Sequence, residues 1–346
     1  MTHQRGDSFQ SWLKSQFSGQ VFTIESLTGD AGFRRYYRLR FTNHTLIAVD
    51  APPDKSNNLA FICIAKQLAL HGVIAPKVIV QDIEQGFFCL TDLGNTLLSD
   101  VVTADNMLQY YQKAIDNLLT FISIKQVTGY HLPDYDDDFV ALELAIFSDW
   151  LLNEHLSLTL TKVEQQQLTE CFNILIDNAI SQPSVFMHRD YHSRNIMLTP
   201  QDEIAVIDFQ DAVHGPVTYD IVSLLRDCYL RWPDDLVNQL FSYFKTKVSQ
   251  QLHLDIDDST WQTWFDLMGL QRHIKASGIF ARLYHRDNKD GYLADIPLTL
   301  SYIIDISKKY SNLAFLQQFI EQKVLPAFLA KAKQAQALNN NVEKSS

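Results

Sequence analysis

The chain has 346 residues, of which 46% are hydrophobic and 20% charged, so it is long enough to bury a substantial apolar core. Its formal net charge of −11 at pH 7 argues against a general binder of nucleic acid or of acidic membranes, since such proteins present a basic face to phosphate groups. Its four cysteines lie far apart, without the paired spacing of a zinc site or a redox dithiol.

The same features bear on where the protein works. The N-terminal segment lacks the apolar core of a signal peptide, and no later run reaches about 18 consecutive apolar residues. Scattered cysteines without paired spacing are typical of proteins in a reducing compartment. We therefore expect a cytoplasmic protein, a monomer, whose partners include neither membrane nor nucleic acid.

The first ninety residues are predicted to form mainly β-strands. Alternating or apolar segments bounded by turn residues predict strands at 21–27, 33–41, 46–50, 78–81 and 87–91. Between the third and fourth strands, apolar residues recur with helical spacing over 59–70. These elements indicate a small antiparallel sheet with one main helix.

From about Asn106 onward the pattern changes to long amphipathic helices. They are predicted at 106–124, 137–155, 161–181, 218–231, 234–252, 259–282 and 312–338. We therefore expect an α+β fold of two lobes, joined near Asp92. The N-terminal lobe would comprise residues 1–93, and a mostly helical C-terminal lobe would comprise residues 94–346.

The segment 184–215 interrupts these helices and carries the most specific pattern. A short strand at 196–198 and a second strand at 204–207 are separated by a turn. If the two strands form a hairpin, Asn195 before the first and Asp208 after the second meet at its open end. Mg²⁺ prefers such carboxylate and amide oxygens, together with water and phosphate oxygens.

The residues before this hairpin match the needs of phosphoryl transfer. Asp190 can receive the proton of an acceptor hydroxyl, while Asn195, Asp208 and Mg²⁺ neutralise the phosphate charge. The spacing of His-Arg-Asp, Asn and Asp-Phe is that of kinase catalytic and metal-binding loops, although ordinary turn and cap residues could produce it. His188, counted with the catalytic residues, is expected to be a buried hydrogen-bonding post. Asp220 is either a helix N-cap or a brace beneath the loop.

Several motifs here resemble a known group of enzymes. Residues 187–190, Asn195, 206–211 and 215–221 are similar to the Brenner-type motifs of the aminoglycoside phosphotransferase/choline kinase superfamily. This resemblance implies a protein-kinase-like fold with ATP between two lobes. It also implies Asp190 as the catalytic base and Asn195 and Asp208 as Mg²⁺ ligands.

A narrower resemblance covers most of the chain. Bacterial anomeric kinases that phosphorylate N-acetylmuramate and N-acetylglucosamine at the C1 hydroxyl, in peptidoglycan recycling, are similar at 32–38, 49–53, 90–94, 270–275 and 278–283. It implies an ATP-dependent sugar kinase whose partners are ATP and an amino sugar. Two alternatives stay open: a kinase of another small acceptor such as an aminoglycoside, choline, ethanolamine or homoserine, and a nucleotide-binding pseudokinase module.

The N-terminal lobe departs from the broader kinase pattern. Where kinases carry a phosphate-binding lysine, the strand at 46–50 ends in Asp50, and the following helix has no glutamate to pair with a lysine. Arg35 lies on the apolar face of the second strand, so it is expected either to pair with Asp50 or to contact the ATP phosphates. On the other face, a solvated edge is expected for Arg34, Arg38 and Arg40.

Further nucleotide contacts are expected at two places. The turn at 28–32, which contains Gly29 and Gly32, could cover the phosphates through its backbone N–H groups. By position and resemblance, the hinge that offers backbone groups to adenine is expected at Thr91, Asp92 and Leu93.

The acceptor pocket is less defined. The acidic run 134–138 could bind a cationic aminoglycoside, but we interpret it as the cap of the helix that follows. The carboxylate of N-acetylmuramate would need an arginine. The candidates for acceptor binding are Arg226, Arg272 and His273, and salt bridges on helix surfaces would explain them almost as well.

Overall fold

The computed structural model describes residues 2–27 and 33–343, which fall into two compact units. The first unit is formed by residues 1–133 and 188–213, and the second by residues 134–187 and 214–346. The lobe boundary expected between residues 93 and 94 stays a prediction. Within the described ranges, every helix is too short or too polar to cross a membrane.

Nine strands occur in the described part of the chain. They are β1 (Thr23–Leu27), β2 (Arg35–Arg40), β3 (Thr45–Asp50), β4 (Val78–Asp82), β5 (Phe87–Thr91), β6 (Ser184–Met187), β7 (Ile196–Leu198), β8 (Ile204–Val206) and β9 (Val213–Pro216). The first five form an antiparallel sheet in the order β1-β2-β3-β5-β4, while β7 pairs with β8 and β6 with β9. The predicted sheet is confirmed, with strand ends within two residues of those expected.

The described residues also form twelve α-helices. They are α1 (Thr2–Gln16), α2 (Asn58–Leu70), α3 (Leu98–Val101), α4 (Met107–Ser123), α5 (Asp137–Ile146), α6 (Lys162–Ile180), α7 (Tyr219–Leu225), α8 (Asp234–Leu252), α9 (Asp258–Asp287), α10 (Ile296–Ser307), α11 (Ala314–Phe319) and α12 (Leu325–Glu343). A π-helical segment continues α5 over Phe147–His155, and another joins α11 to α12 over Ile320–Val324. The predicted α+β class is confirmed, although the helix expected at 218–231 already ends at Leu225.

Three helices were not predicted from the sequence: the four-residue α3, and the two longer helices α1 and α10. In α1 the large apolar residues recur at helical spacing, and they join a buried cluster with the sheet. The cluster comprises Phe9, Trp12, Leu13, Phe17, Leu39, Leu46, Ala48, Phe87 and Cys89. The other helix, α10, is apolar on most sides and has a proline in its first turn, where the missing N–H costs no hydrogen bond.

The sheet of the first unit has a helix on each face. Helix α1 covers the face that carries Leu39 and Ala48. On the other face, Phe61 of α2 lies against Phe88 of β5, with ring centroids 6.1 Å apart. Because side chains alternate along a strand, residues that follow one another in β2 face different helices.

The second unit is organised around α9, which is buried along most of its length. Asp257 caps this helix by accepting a hydrogen bond from the Thr260 N–H at 2.9 Å. A Cβ atom at Gly278 would lie 2.6 Å from the backbone of Ile146 and Phe147. Only glycine permits this approach between α9 and the end of α5, which explains one of the motifs quoted for the narrower resemblance.

The acidic run at 134–138 caps α5, as the sequence predicted. Asp136 is the N-cap residue, and its carboxylate accepts a hydrogen bond from the Phe139 N–H at 2.9 Å. Asp137 and Asp138 lie in the first turn, where negative charge complements the helix dipole.

Candidate active site

The predicted hairpin is present and brings two site residues to its open end. Strands β7 and β8 pair with Ile196 opposite Val206. Beyond this pair, the Ile207 N–H donates to the carbonyl oxygen of Asn195 at 3.0 Å. Asn195 and Asp208 therefore flank the same end of the hairpin, as expected.

The loop at 188–195, predicted to be the catalytic loop, is also hydrogen-bonded to Ile207, through the carbonyl group of that residue. Nε2 of His188 donates a hydrogen bond to the Ile207 carbonyl oxygen at 3.1 Å. The His188 ring is fully buried and stacks on Phe121 with centroids 6.1 Å apart. Burial lowers the pKa of His188 to about 4, against the opposing charge of Asp190. His188 is thus the buried, hydrogen-bonding residue that the sequence predicted, and its low pKa keeps it neutral at pH 7.

The carbonyl oxygen of Asp190 organises the loop itself. It accepts hydrogen bonds from the His192 N–H at 3.1 Å and from Nδ2 of Asn195 at 3.0 Å. The next residue, Tyr191, is buried and donates its hydroxyl to the Ala114 carbonyl of α4 at 2.8 Å. Because the Asn195 amide NH₂ is used within the loop, Oδ1 is the atom of this side chain that can bind a cation.

Two non-glycine residues of the site adopt left-handed backbone conformations. Arg189 has φ = 77° and Asp208 has φ = 64°. Such conformations are uncommon outside glycine and are retained where the surrounding structure enforces them. Asp208 itself therefore occupies a strained position, and Asp190 directly follows one.

The carboxyl group of Asp208 has a raised pKa although its side chain reaches solvent. The protein packed around it is the main cause. A hydrogen bond of 2.8 Å from Nε2 of Gln210 opposes the shift, the charges of Asp190 and Asp211 add to it, and the charge of Arg34 opposes it. A carboxylate surrounded by like charges favours a bound cation.

The donor set fits Mg²⁺. Oδ1 of Asn195 and the Asp208 carboxylate are hard oxygen ligands of the kind that Mg²⁺ takes, usually together with water and phosphate oxygens. Among the described residues, no group of three or more His, Cys, Asp and Glu side chains could hold a metal on its own. Asn195 and Asp208 would hold magnesium together with water and phosphate oxygens.

The residue at the lysine position of other kinases, Asp50, is buried and paired with two arginines. Nη2 of Arg5 from α1 lies 2.6 Å from its carboxylate, and Nη2 of Arg35 lies 3.0 Å from it. Arg35 is directly opposite Asp50 in the sheet, so both face α1. The pairing of Arg35 with Asp50 is confirmed, and its expected contact with phosphates stays a prediction.

Arg38 was expected at a solvated edge, and this was wrong. Its side chain is only 6% exposed, and it donates from Nε and Nη2 to both carboxylate oxygens of Asp92, at 2.6 and 3.0 Å. Burial acts to raise the pKa of Asp92, but the bonds from Arg38 and from the Gly94 N–H outweigh it and lower the pKa. The exposed Arg40 pairs with Glu25, so a solvated edge describes that end of β2.

The structure describes only part of the expected nucleotide contacts. The Thr91 N–H donates to the Lys77 carbonyl oxygen at 2.9 Å, so it is already used at the edge of the sheet. The adenine contacts at Thr91, Asp92 and Leu93 stay predictions. Gly29 and Gly32 lie outside the described residues.

The three acceptor candidates belong to the second unit, where all are buried rather than on helix surfaces as the alternative required. Nη2 of Arg226 lies 2.5 Å from the Asp266 carboxylate. The guanidinium of Arg272 lies over the Tyr219 ring, 4.9 Å from its centroid. His273 is 1% exposed, and its Nδ1 contacts the Gly269 carbonyl oxygen at 2.7 Å. Their role toward an acceptor stays a prediction.

Another buried ion pair of the second unit was missed by the sequence analysis. Nζ of Lys275 lies 2.5 Å from the Glu143 carboxylate and also donates to the Tyr219 hydroxyl at 3.0 Å. The signal was present in the sequence, because each charged residue interrupts an apolar stretch of its helix.

The prediction for Asp220 as a helix N-cap was wrong, because Thr218 is the N-cap residue of α7. The alternative, that Asp220 braces the loop, stays a prediction.

Comparison with known proteins adds a family. Residues 23–250 match the model of the phosphotransferase enzyme family. The N-acetylmuramate/N-acetylglucosamine kinase of Pseudomonas putida is 37% identical over 301 residues, 87% of this chain and 88% of that protein. The protein of the same name from Neisseria meningitidis serogroup B is 34% identical over 330 residues, 93% of this chain and 96% of the relative.

The fold has counterparts among solved structures. Wild-type aminoglycoside 2'-phosphotransferase-IIIa in its GDP complex aligns with a TM-score of 0.60 at 16% identity, covering 87% of this chain and 98% of that one. This likeness confirms the predicted kinase-like fold, and the family match confirms the predicted class of enzyme, a phosphotransferase.

Proposed function

Because the chain belongs to the phosphotransferase enzyme family, we propose that it transfers the γ-phosphoryl group of ATP to the anomeric C1 hydroxyl of N-acetylmuramate and N-acetylglucosamine. The acceptor is proposed from the relatives of that name, which align over most of their own length. We place the reaction in the cytoplasm, as a step of cell-wall recycling, since all four cysteines are free thiols, which suits a reducing compartment.

The contact between Ile207 and Asn195 carries the mechanistic part of the proposal. This hydrogen bond joins Asn195, at the end of the loop 188–195, to the residue before Asp208. It therefore fixes the backbone that carries Asp190, Asn195 and Asp208. Asp190 accepts the proton of the acceptor hydroxyl as its oxygen forms a bond to the γ-phosphorus. The bond between that phosphorus and the bridging oxygen breaks, and ADP leaves with the bonding electrons.

The negative charge of the transferring phosphoryl group must be neutralised near the same residues. Asn195, through Oδ1, and Asp208 would hold magnesium. When bound, Mg²⁺ neutralises charge on the phosphate oxygens. The hydrogen bond from Gln210 orients the Asp208 carboxylate. The hydrogen bond from His188 to the Ile207 carbonyl oxygen fixes the backbone just before Asp208.

A panel of acceptors tests this function. ADP release would be measured with N-acetylmuramate, N-acetylglucosamine, choline, ethanolamine, homoserine and an aminoglycoside, and the phosphorylated position of the product would be identified by NMR. Turnover confined to the two amino sugars with a C1-phosphate product supports the proposal. Turnover only with another acceptor would replace the sugar assignment, and ATP binding without turnover of any acceptor would favour a pseudokinase.

A further inference from the structure

We propose that Arg34 supplies the protein cation that binds the nucleotide phosphates, in place of the lysine that this chain lacks on β3. This inference rests on the proposed function, since it assigns a residue to the nucleotide of that reaction. It replaces the expectation of a solvated edge for Arg34.

Four arginines lie on or next to β2, and three of them have carboxylate partners. Arg35 pairs with Asp50, Arg38 with Asp92 and Arg40 with Glu25. Within the ranges that the structure describes, Arg34 has no carboxylate at ion-pairing distance. Its charge is therefore the one in this group that no described ion pair uses.

An aromatic stack connects Arg34 to the hairpin. Its guanidinium lies over the Phe61 ring of α2, 5.4 Å from the centroid. Phe61 in turn stacks on Phe209, with centroids 5.1 Å apart and ring planes at 17°. Phe209 directly follows Asp208 in the chain. The same aromatic column thus contacts the arginine and the segment that carries the proposed metal ligand.

The electrostatics of Tyr36 agree with this placement. Burial raises the pKa of Tyr36, the charge of Arg34 and its hydrogen bond to the tyrosine oppose this, and the charge of Asp208 adds to it. One tyrosine therefore senses both groups, which locates Arg34 in the field of the site rather than at a distant edge.

The side of the sheet on which Arg34 lies explains why an arginine can take the place of the lysine. Asp50 and Arg35 face α1, whereas Arg34 contacts α2, the helix that carries the partner glutamate in other kinases. Helix α2 has no glutamate. Instead, the face of the Phe61 ring holds the Arg34 guanidinium by a cation–π contact. A cation held by an aromatic face keeps its N–H donors at the edge, where they can bind phosphate oxygens in pairs.

The test compares the binding of a ligand that carries phosphates, Mg·ATP, with that of one that has none, adenosine. Isothermal titration would measure the affinity of Mg·ATP and of adenosine for the full chain and for Arg34→Ala. We expect Arg34→Ala to weaken Mg·ATP binding about 10- to 100-fold, the range for lost hydrogen bonds between charged groups, and to leave adenosine affinity unchanged. Arg34→Lys should recover part of the loss, because it restores charge without the paired donors.

Two further variants make the test decisive. Arg40→Ala removes an arginine of the neighbouring strand β2, whose exposed partner is Glu25, and should leave both affinities unchanged. Arg35→Ala tests the earlier candidate on the opposite face. The proposal is overturned if Arg34→Ala binds Mg·ATP normally, if it loses adenosine to the same extent, or if Arg35→Ala alone carries the loss. These affinities need no acceptor, so they are independent of the sugar panel.

Discussion

Asp208 in the first unit and Asp266 in the second have opposite electrostatic surroundings. Asp266 is 1% exposed, pairs with Arg226 at 2.5 Å, and accepts hydrogen bonds from Nε2 of Gln262 and the Tyr310 hydroxyl, both at 3.1 Å. Asp208 has like charges as neighbours and, within the described residues, no cation at ion-pairing distance. Each is held by well-defined hydrogen bonds, so the difference lies in charge balance.

This difference separates a structural group from a functional one. Burying a charge is costly, and proteins recover the cost by supplying partners, as the second unit does for Asp266 and for Glu143. A carboxylate that keeps its charge without such a partner is destabilised in the free protein and is stabilised when a cation binds. Loss of function and loss of stability should therefore separate between the two units.

The largest effect is expected for Asp190→Asn. Without the proposed base, turnover should fall about 10²- to 10⁴-fold, while thermal unfolding is unchanged because the backbone bonds of the loop are kept. Asp202→Asn in the turn of the same hairpin is the matched control, since Asn also tolerates its φ of 61°. Steady-state kinetics with the best acceptor checks both variants, and near-normal turnover in Asp190→Asn would remove the base assignment.

Asp266→Asn should show the reverse behaviour. It leaves Arg226 buried without its charge partner, so the apparent stability should fall by about 3–5 kcal/mol. Asp305→Asn, which breaks an exposed pair with Arg231, should cost below about 1 kcal/mol. Urea unfolding followed by circular dichroism measures both losses. Similar losses from the two variants would contradict the contrast drawn for the buried pair.

The sheet and the hairpin could be predicted because their signals lie in residues that are neighbours in the sequence. The alternation in β2 and the turn between β7 and β8 are properties of neighbouring residues, so the sheet and the hairpin could be read from the sequence. Helix α1 carried the same kind of signal in Phe9, Trp12, Leu13 and Phe17, and it was missed because the segment was considered only as a targeting signal.

The partners of charged residues could not be predicted in the same way. Arg34, Arg35 and Arg38 follow each other closely, yet their contacts are made to Phe61, Asp50 and Asp92, and two of these partners come from distant segments. Strand alternation predicts which face a side chain takes, but the group that meets it there depends on the tertiary fold. This is why the sequence analysis expected both Arg34 and Arg38 at a solvated edge.

A third prediction concerns pH and the interior of the second unit. Burial lowers the pKa of His273 to about 3, and the charges of Arg272 and Arg226 act in the same direction. Below about pH 6.5 the unfolded chain binds a proton that the folded chain refuses, so stability falls as pH decreases toward the folded pKa. The slope is up to about 1.4 kcal/mol per pH unit for this histidine.

The measurement is urea unfolding at about pH 7 and about pH 5 for the parent chain and for His273→Gln. The variant lowers stability at neutral pH, but it should show a smaller loss between the two pH values, because it cannot titrate. Parallel pH dependence in the two proteins would mean that His273 is protonated in the folded state, which would contradict the balanced interior inferred for this unit.

The smallest effect, and the one that tests the comparison most directly, is the stability of Asp208→Asn. Removing a charge that its surroundings destabilise should stabilise the free protein, by below about 1 kcal/mol because the side chain reaches solvent. Asn tolerates the positive φ at this position, so the backbone adds no cost. Turnover should be lost in the same variant, since the proposed metal ligand is gone. If Asp208→Asn instead loses stability as Asp266→Asn does, then Asp208 is a structural residue, and the charge imbalance at the hairpin has another explanation than a bound cation.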